Sequence, residues 1–312
     1  NHTGAALYHF DKPHTIYRGS GFGLRVSNFA RIHFDTSTYF IINLGIPQPS
    51  TKPFRVLCAP PFPALRLVLE PHYQTGEPMP IQAPVRIGVI GAGWFASRRH
   101  CPDIVEHPEA ELVALCRRNP EPMQELADAF AVKHTFTEYN EMLESGLLDG
   151  VLVCSPHDLH YLHAKAALDR GLHVLLEKPI TLDPEQGRTL VTLANERNLT
   201  LIVAQNPPYW NHCRYLRDKI QHGALGELEG AAIHWMGNVR GVLGLEPLPD
   251  EMPGIVKPTL YRADATQNGG GFLIDGGSHL VCELLWCTGR HVVSVSAQMD
   301  NADFDLRCAL TL

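Results

Sequence analysis

VRIGVIGAGWFA, residues 85–96, is the stretch that decides the fold of this chain. Its first six residues form a short, mostly apolar run that predicts a buried strand, and the pattern G-x-G-x-x-A follows directly, before a helical pattern. Gly91 allows a sharp turn, and Gly93 lets a pyrophosphate approach the backbone because it has no Cβ. The small Ala96 lets the helix pack close to the strand, and the N-terminus of that helix offers N–H groups to phosphate. The stretch therefore predicts a dinucleotide-binding turn.

Apolar strands alternate with helices from residue 85 to about residue 205. Strands are predicted over 86–90, 111–116, 150–154, 173–176 and 200–204, and helices over 94–105, 120–130, 139–144, 157–170 and 183–197. Continuous apolar strands separated by helices indicate a parallel sheet that is covered on both faces. We therefore assign residues 85–205 to a Rossmann NAD(P)-binding domain in an α/β fold. Ligands bind such sheets at the carboxyl ends of the strands.

The pattern changes after residue 205. Residues 228–235, 291–299 and 304–312 alternate like strands of an antiparallel sheet, and residues 279–287 predict one helix. We assign residues 206–312 to a second domain. The last strand pattern runs to the end of the chain without a turn, so we expect this domain to be partial, with an unpaired sheet edge.

Residues 1–84 belong to neither domain in this interpretation. They hold eleven of the 24 prolines and show no sustained period, and apolar pieces such as residues 39–42 have no evident partner. The first methionine is Met79. Two explanations stay open: non-native sequence upstream of a start at Met79, or a natural extension that is disordered.

Composition excludes several classes of protein. The chain has 312 residues, of which 45% are hydrophobic and 19% are charged, which is typical of a globular protein with room for two domains. A net charge of -7 offers no basic surface to nucleic acid or to anionic lipid, and no apolar run is long enough to span a bilayer. The eight cysteines form no C-x-x-C pair, so we expect a reducing, cytoplasmic setting.

Three further motifs follow the predicted strands. SPHDLH (155–160) follows the third strand, EKP (177–179) follows the fourth, and GGGFLIDGGSH (269–279) lies in the second domain. Asp275 and His279 are four residues apart at a helix start, so both can face one side. Together with the glycine turn, these motifs resemble the glucose–fructose oxidoreductase/inositol dehydrogenase/rhizopine-catabolism (Gfo/Idh/MocA) family over residues 85–312.

The resemblance implies an architecture for the whole molecule. Members of this family join an N-terminal Rossmann domain to an α/β domain whose open, mainly antiparallel sheet often forms the oligomer interface. Residues 206–312 would then be a partial substrate and oligomerisation domain, and the full-length protein would be a homo-oligomer. Family members are usually longer after the last motif, which agrees with the expected truncation.

The resemblance also implies roles for individual residues. Lys178 would lie between nicotinamide and substrate and hydrogen-bond the reacting oxygen, His279 would be the general base, and Asp275 would bind substrate hydroxyls or orient the site. A histidine that titrates near neutrality can accept the carbinol proton, and a fixed ammonium group stabilises the alkoxide. The predicted cofactor-binding residues are Gly91, Gly93, Trp94, Phe95, Arg117, Arg118, Ser155, Pro156, His160 and Glu177.

Structural explanations compete with these roles. Lys178 could be a strand-end lysine paired with Glu177, and His279 could be a core histidine. His157, His160 and His163 recur every three residues, but no cysteine or carboxylate obviously completes a ligand set, so we predict no metal site.

The end of the second Rossmann strand bears on cofactor choice. A site for NAD usually has an acidic residue there to accept the ribose 2′-hydroxyl. Here Arg117 and Arg118 follow the strand, and a guanidinium group suits a 2′-phosphate. The sequence therefore favours NADP, although both arginines could lie in solvent while NAD binds.

Three functions are compatible with these features. The leading hypothesis is an NAD(P)-dependent oxidoreductase that transfers a hydride between nicotinamide and a sugar, a polyol or a related hydroxy compound. The alternatives are an NAD-dependent glycosidase and a non-catalytic, cofactor-sensing regulatory protein. Many relatives carry an arginine shortly after the last Rossmann strand, where this chain has Gln205-Asn206-Pro207-Pro208, so the substrate pocket is expected to differ.

Overall fold

The computed structural model describes residues 29–33 and 38–43 as backbone, and residues 83–250 and 252–312 in full. Its strands are β1 (Phe29–His33), β2 (Thr38–Asn43), β3 (Val85–Ile90), β4 (Ala110–Cys116), β5 (His134–Phe136), β6 (Gly150–Val153), β7 (His173–Leu176), β8 (Leu201–Val203), β9 (Gly230–Trp235), β10 (Ser296–Met299) and β11 (Cys308–Thr311). Its α-helices are α1 (Cys101–Glu106), α2 (Pro120–Ala129), α3 (Tyr139–Glu144), α4 (His160–Asp169), α5 (Pro184–Glu196), α6 (Asn211–Gln221), α7 (Ala265–Asn268) and α8 (Ser278–Thr288).

Six parallel strands form the sheet of the Rossmann domain, in the order β5-β4-β3-β6-β7-β8. The chain crosses from β3 to β4 on one side and later returns to place β6 on the other side of β3. The topological switch point therefore lies between β3 and β6, where a Rossmann fold binds its ligand. All four residues of β6 are buried, which explains its continuous apolar sequence.

Helices α2 and α5 start at capping residues that are visible in the sequence. The Asn119 side chain accepts from the backbone N–H of Glu121, and the Asp183 side chain accepts from that of Glu185. A proline follows each cap at the first helical position, where no intrahelical hydrogen bond is lost. The first turns of both helices are therefore defined locally.

Two helices that lead into the interdomain region begin with a π-helical turn. Residues Ala96–His100 form such a turn before α1, and Leu273–Gly277 form another before α8. Single π turns inside helices occur often at functional sites, because they redirect the side chains that follow. Here they carry His100 and Asp275, respectively. The predicted helices over 94–105 and 279–287 are present, but their irregular first turns were not predicted.

Antiparallel strands appear outside the Rossmann sheet, as predicted. Strands β1, β2 and β9 form one sheet in that order, and β10 pairs with β11. The predicted α/β fold class is thus confirmed. Residues 39–42, for which we expected no partner, lie in β2, where Ile41 pairs with Ala232 of β9. The remaining assignments for residues 1–82 lie outside the described residues.

Five elements escaped prediction, namely β1, β2, β5, α6 and α7. Strand β5 has only three residues, which is too few to show a period. Helix α6 is amphipathic, with Cys213 and Leu216 buried, but it consists mostly of charged and polar residues and was not predicted. The predicted strands over 291–299 and 304–312 shorten to β10 and β11. In the described part of the chain, no helix has the length and apolar character needed to cross a membrane.

A segment of the second domain lies across the start of the first Rossmann helix. The Trp94 indole Nε1 donates to the carbonyl oxygen of Pro253 over 2.7 Å, and the Ser97 hydroxyl accepts from the Val256 backbone N–H over 3.3 Å. Val256 is buried in the same cluster as Ala96. These contacts hold the two domains together beside the glycine turn.

Candidate active site

A cleft of about 1200 Å³ opens at the carboxyl ends of the Rossmann strands and is closed on its far side by the second domain. Every residue that the sequence singled out for the site lines this cleft. They are Gly91, Gly93, Trp94, Phe95, Arg117, Arg118, Ser155, Pro156, His160, Glu177, Lys178, Asp275 and His279. Two distant motifs, EKP and D-x-G-x-H, therefore meet at one place.

The glycine turn packs directly against the strand-end loop after β6. Gly91 has a φ of +80°, and a Cβ there would lie 2.5 Å from the backbone nitrogen of Ser155. The backbone N–H of Gly93 donates to the carbonyl oxygen of Gly91 over 2.7 Å, which closes the turn. A side chain at Gly91 would thus meet both conformational strain and a steric clash.

Arg117 reaches back from the end of β4 onto this turn. Its Nη1 donates to the carbonyl oxygen of Ala92 over 3.0 Å, and a Cβ on Gly93 would lie 3.3 Å from the same Nη1. Its Nε is buried and has no acceptor among the described residues. Burial lowers the pKa of Arg117, but a guanidinium group keeps its charge at neutral pH. The turn therefore carries a positive charge with an unused donor.

Lys178 is held by one aspartate on the opposite side of the cleft. Its Nζ donates to Asp275 Oδ1 and to the Asp275 carbonyl oxygen, each over 2.8 Å. The Arg262 Nε donates to Asp275 Oδ2 over 3.1 Å. All three side chains are at most 16% exposed. Although burial alone would raise it, the two cations hold the pKa of Asp275 well below its usual range, so the carboxylate stays ionised.

His157 supports this ion group from the Rossmann side. Its Nδ1 lies 2.9 Å from the Asn268 carbonyl oxygen, to which it donates, and its Nε2 accepts from the Tyr261 hydroxyl over 3.2 Å. This pair of partners matches a neutral imidazole. Burial lowers the pKa of His157 to about 3, in agreement with that assignment. His157 thus joins the SPHDLH motif to the second domain.

His279 lies on α8, one turn after Asp275. Its ring stacks on Trp210 with 6.4 Å between the ring centres, and its buried Nδ1 has no hydrogen-bond partner among the described residues. Burial, followed by the nearby Lys178, lowers the pKa of His279 to about 4. The imidazole is therefore neutral at pH 7 and can accept a proton.

Glu177, the first residue of EKP, is held by His100, which lies in the π turn before α1. Its Oε1 accepts from His100 Nε2 over 2.7 Å, and its Oε2 accepts from the backbone N–H of Lys178 over 3.0 Å. Burial opposes ionisation, but the hydrogen bond from His100 is among the contacts that lower the pKa of Glu177. The ring of Phe95 packs edge-on against His100. Glu177 therefore orients the loop that presents Lys178 and does not pair with the ammonium group at the surface.

His160 joins the loops that follow β6 and β7. Its Nε2 lies 3.0 Å from the Ser155 carbonyl oxygen, and its Nδ1 lies 2.7 Å from that of Pro179. Burial lowers its pKa, so the neutral ring donates to one carbonyl at a time. The Ser155 hydroxyl is 2.9 Å from Nδ1 of His163. His157, His160 and His163, which recur every three residues, thus make contacts that hold the loops of the cleft in place.

Sequence reasoning missed Arg262, Tyr261 and His100. Tyr261 and Arg262 lie in a short 3₁₀ turn, Leu260–Ala263, with no preceding strand pattern to mark it. His100 is the last residue of the π turn before α1 and contacts Glu177 from there. None of the three has a local sequence signal.

Comparison with known proteins shows which family has the sequence features of this chain. The model of the Gfo/Idh/MocA oxidoreductase family, described as an NAD-binding Rossmann fold, matches residues 85–205, and that of a Gfo/Idh/MocA C-terminal domain matches residues 213–307. A dTDP-3,4-didehydro-2,6-dideoxy-alpha-D-glucose 3-reductase from Saccharopolyspora spinosa is 35% identical over 63% of this chain and 54% of its own length. D-glucoside 3-dehydrogenase from Escherichia coli strain K12 is 32% identical over 69% of this chain and 57% of its own length.

A solved structure agrees at the level of the fold. Scyllo-inositol dehydrogenase from Lactobacillus casei, crystallised with NAD(H) and scyllo-inositol, superimposes with a TM-score of 0.57 at 21% identity, over 71% of this chain and 61% of that one. The chain spans just over half the length of the two curated relatives. Both domain models, the motif order and the shared cleft lead to one conclusion: this chain belongs to the Gfo/Idh/MocA oxidoreductase family, with residues 85–205 as its NAD-binding Rossmann domain.

Proposed function

We propose that the protein is an NAD(P)-dependent oxidoreductase that acts on a CH–OH group, or on the corresponding ketone, of a sugar or polyol. The observation that carries this proposal is the position of the Lys178 ammonium group, which Asp275 fixes in the same cleft as the glycine turn and His279. The names of both curated relatives describe redox chemistry on a sugar or glucoside, which supports the same substrate class.

The residues of the cleft suit the proton transfers of alcohol oxidation. When bound, the nicotinamide cofactor supplies the hydride acceptor or donor. Burial lowers the pKa of His279 to about 4, below the near-neutral value expected from the sequence, so its neutral imidazole can accept the carbinol proton but is a weaker base than a histidine that titrates near pH 7. Lys178 hydrogen-bonds the reacting oxygen and stabilises its developing negative charge. Asp275 holds Lys178 in place through two hydrogen bonds.

The phosphate end of the cleft fits a dinucleotide. Gly91 and Gly93 leave the backbone accessible at the N-terminus of the first helix, and Arg117 has a buried Nε with no acceptor among the described residues. An orphaned buried donor beside a glycine turn is the arrangement that an anionic group would complete. We propose that Arg117, with Arg118 beside it, favours NADP over NAD by contacting the 2′-phosphate.

The decisive experiment is a substrate panel with the full chain, read as NAD(P)H formation at one wavelength. The panel comprises alkyl and aryl glucosides, free hexoses and inositols, each with NAD and with NADP. We expect turnover of at least one CH–OH substrate, and Lys178→Ala should lower kcat by about 10²- to 10³-fold while cofactor binding persists. Exposed Lys165→Ala serves as the matched control.

Two results would redirect the assignment. Release of an aglycone without net formation of NAD(P)H would support the glycosidase alternative. Cofactor binding with no turnover of any panel member would support the regulatory alternative.

The free cysteines and two exposed valines bear on where the protein is located and how it assembles. All seven cysteines in the described residues are free, which supports a reducing, cytoplasmic setting. Val293 and Val295 are 89% and 65% exposed beside β10, and such an apolar edge suits self-association. We therefore propose a homo-oligomer, to be measured by analytical ultracentrifugation.

A further inference from the structure

Three potential metal ligands converge outside the cleft, between α6 and α8. One ligand atom each from His212, Cys213 and Glu283 lies within 4.8 Å of the other two. The His212 Nε2 is 3.3 Å from Glu283 Oε1. In a tetrahedral zinc site, ligand atoms are roughly 3.3–3.8 Å apart, since metal–ligand bonds measure about 2.0–2.3 Å. The group is therefore close to the geometry of a metal site.

The burial of Glu283 is unusual for a carboxylate. Its side chain is 1% exposed, and its Oε2 has no hydrogen-bond donor among the described residues. A buried carboxylate oxygen without a partner costs free energy, unless a cation or a water molecule satisfies it. A cation bound at this position would give Oε2 the partner that the described residues do not supply.

We propose that His212, Cys213 and Glu283 bind a zinc ion that joins α6 to α8. Imidazole, thiolate and carboxylate form an N, S, O ligand set that suits zinc and disfavours magnesium or calcium. The His212 side chain is 27% exposed, so an ion has a path from solvent and the ring has room to adjust. Water would complete the fourth position.

The test uses the full chain after treatment with a chelator and desalting. One equivalent of Co²⁺ should produce a sulfur-to-cobalt charge-transfer band, and elemental analysis after zinc loading and desalting should give one zinc per chain. Cys213→Ser should abolish the band, and Glu283→Gln should weaken zinc binding at least about tenfold. Cys282→Ser, which removes the thiol next to Glu283 on the same helix, should leave both readouts unchanged.

A measurement on the wild-type chain keeps the proposal falsifiable if a variant fails to fold. Added zinc should raise the Tm of the wild-type chain, and the rise should grow with zinc concentration. Absence of both the cobalt band and the Tm rise would show that His212 and Glu283 form an ion pair only, and would overturn the proposal. So would equal zinc retention by wild type and a folded Cys213→Ser variant.

Discussion

Arg117 is the residue on which the proposed preference for NADP rests. Replacing it by aspartate removes the buried donor on the glycine turn and supplies an acceptor suited to a ribose 2′-hydroxyl. We expect Arg117→Asp to weaken NADP binding relative to NAD by about 1–3 kcal/mol, the range of a charge-assisted contact. Isothermal titration with both cofactors measures this change.

Arg188→Asp provides the charge-matched control for that titration, because Arg188 lies on the exposed side of α5. If the ratio of the two affinities stays the same in Arg117→Asp, the arginine has no part in cofactor choice and the NADP proposal fails.

Arg262 is a positioning residue, since it touches Asp275 and not the predicted reacting atoms. Removing its charge leaves Asp275 paired with Lys178 alone and lets the carboxylate shift. We expect Arg262→Gln to lower kcat by up to about 10²-fold, with an unchanged Kd for cofactor, because a small displacement of Lys178 misaligns the reacting oxygen. Arg262→Lys should restore part of the rate in steady-state assays. A rate equal to wild type in Arg262→Gln would contradict this role.

At the scale of single elements, the glycine turn after β3 tolerates no side chain at residue 91. Gly91→Ala places a Cβ 2.5 Å from the Ser155 nitrogen and forces a positive φ on alanine. Gly171→Ala meets the same kind of φ, +77°, but nothing lies within 4 Å of its Cβ. We expect Gly171→Ala to cost about 1–2 kcal/mol of stability and to leave cofactor affinity intact.

Gly91→Ala should cost more stability than Gly171→Ala and should abolish cofactor binding, because the clash displaces the loop that lines the cleft. Chemical denaturation and cofactor titration of both variants measure the difference. Equal losses of stability, together with intact cofactor binding in both variants, would show that the glycine turn accommodates a Cβ at residue 91 and would contradict this prediction.

The elements that the sequence predicted are those with local causes. Strand β6 has an apolar run because both its faces are buried, and α2 and α5 have caps and prolines at their starts. The two π turns and the 3₁₀ turn that carries Arg262 depart from the periods of the regular α-helix and β-strand, so no hydrophobic pattern in the sequence indicates them. For the same reason the motifs EKP and D-x-G-x-H could be located, whereas the residues that hold them together could not.

At the scale of the whole molecule, buried neutral histidines make the stability of the folded state depend on pH below about 6.5. Burial lowers the pKa values of His157, His163 and His279 to about 3, 4 and 4, from an ordinary value of 6.5. Because the unfolded chain binds these protons first, the stability that these three neutral histidines contribute is complete above about pH 6.5 and is lost as the pH falls towards the folded-state values. His212, whose pKa is raised to about 9, acts in the opposite direction and affects the profile mainly above pH 6.5. We expect the Tm to decline steadily between about pH 6.5 and pH 4.

His157→Gln should show a shallower decline of Tm with pH, because one proton-binding difference between the folded and unfolded states is removed. His222→Gln is the control, since this histidine is exposed. Differential scanning fluorimetry across the pH range makes the comparison. A flat Tm profile in the wild-type chain would contradict the assignment of neutral, buried histidines.

Two cations and two carboxylates meet at the base of the cleft, because the Glu177 carboxylate lies next to Lys178, while Asp275 contacts both Lys178 and Arg262. Their charges balance, so this partly buried site has no net charge to compensate a charged substrate for the hydration that it loses on entry. Amino sugars and uronic acids should therefore both be turned over less efficiently than the corresponding neutral sugars. The balance of charge at the base of the cleft would in this way select substrates by class before any individual hydroxyl is recognised.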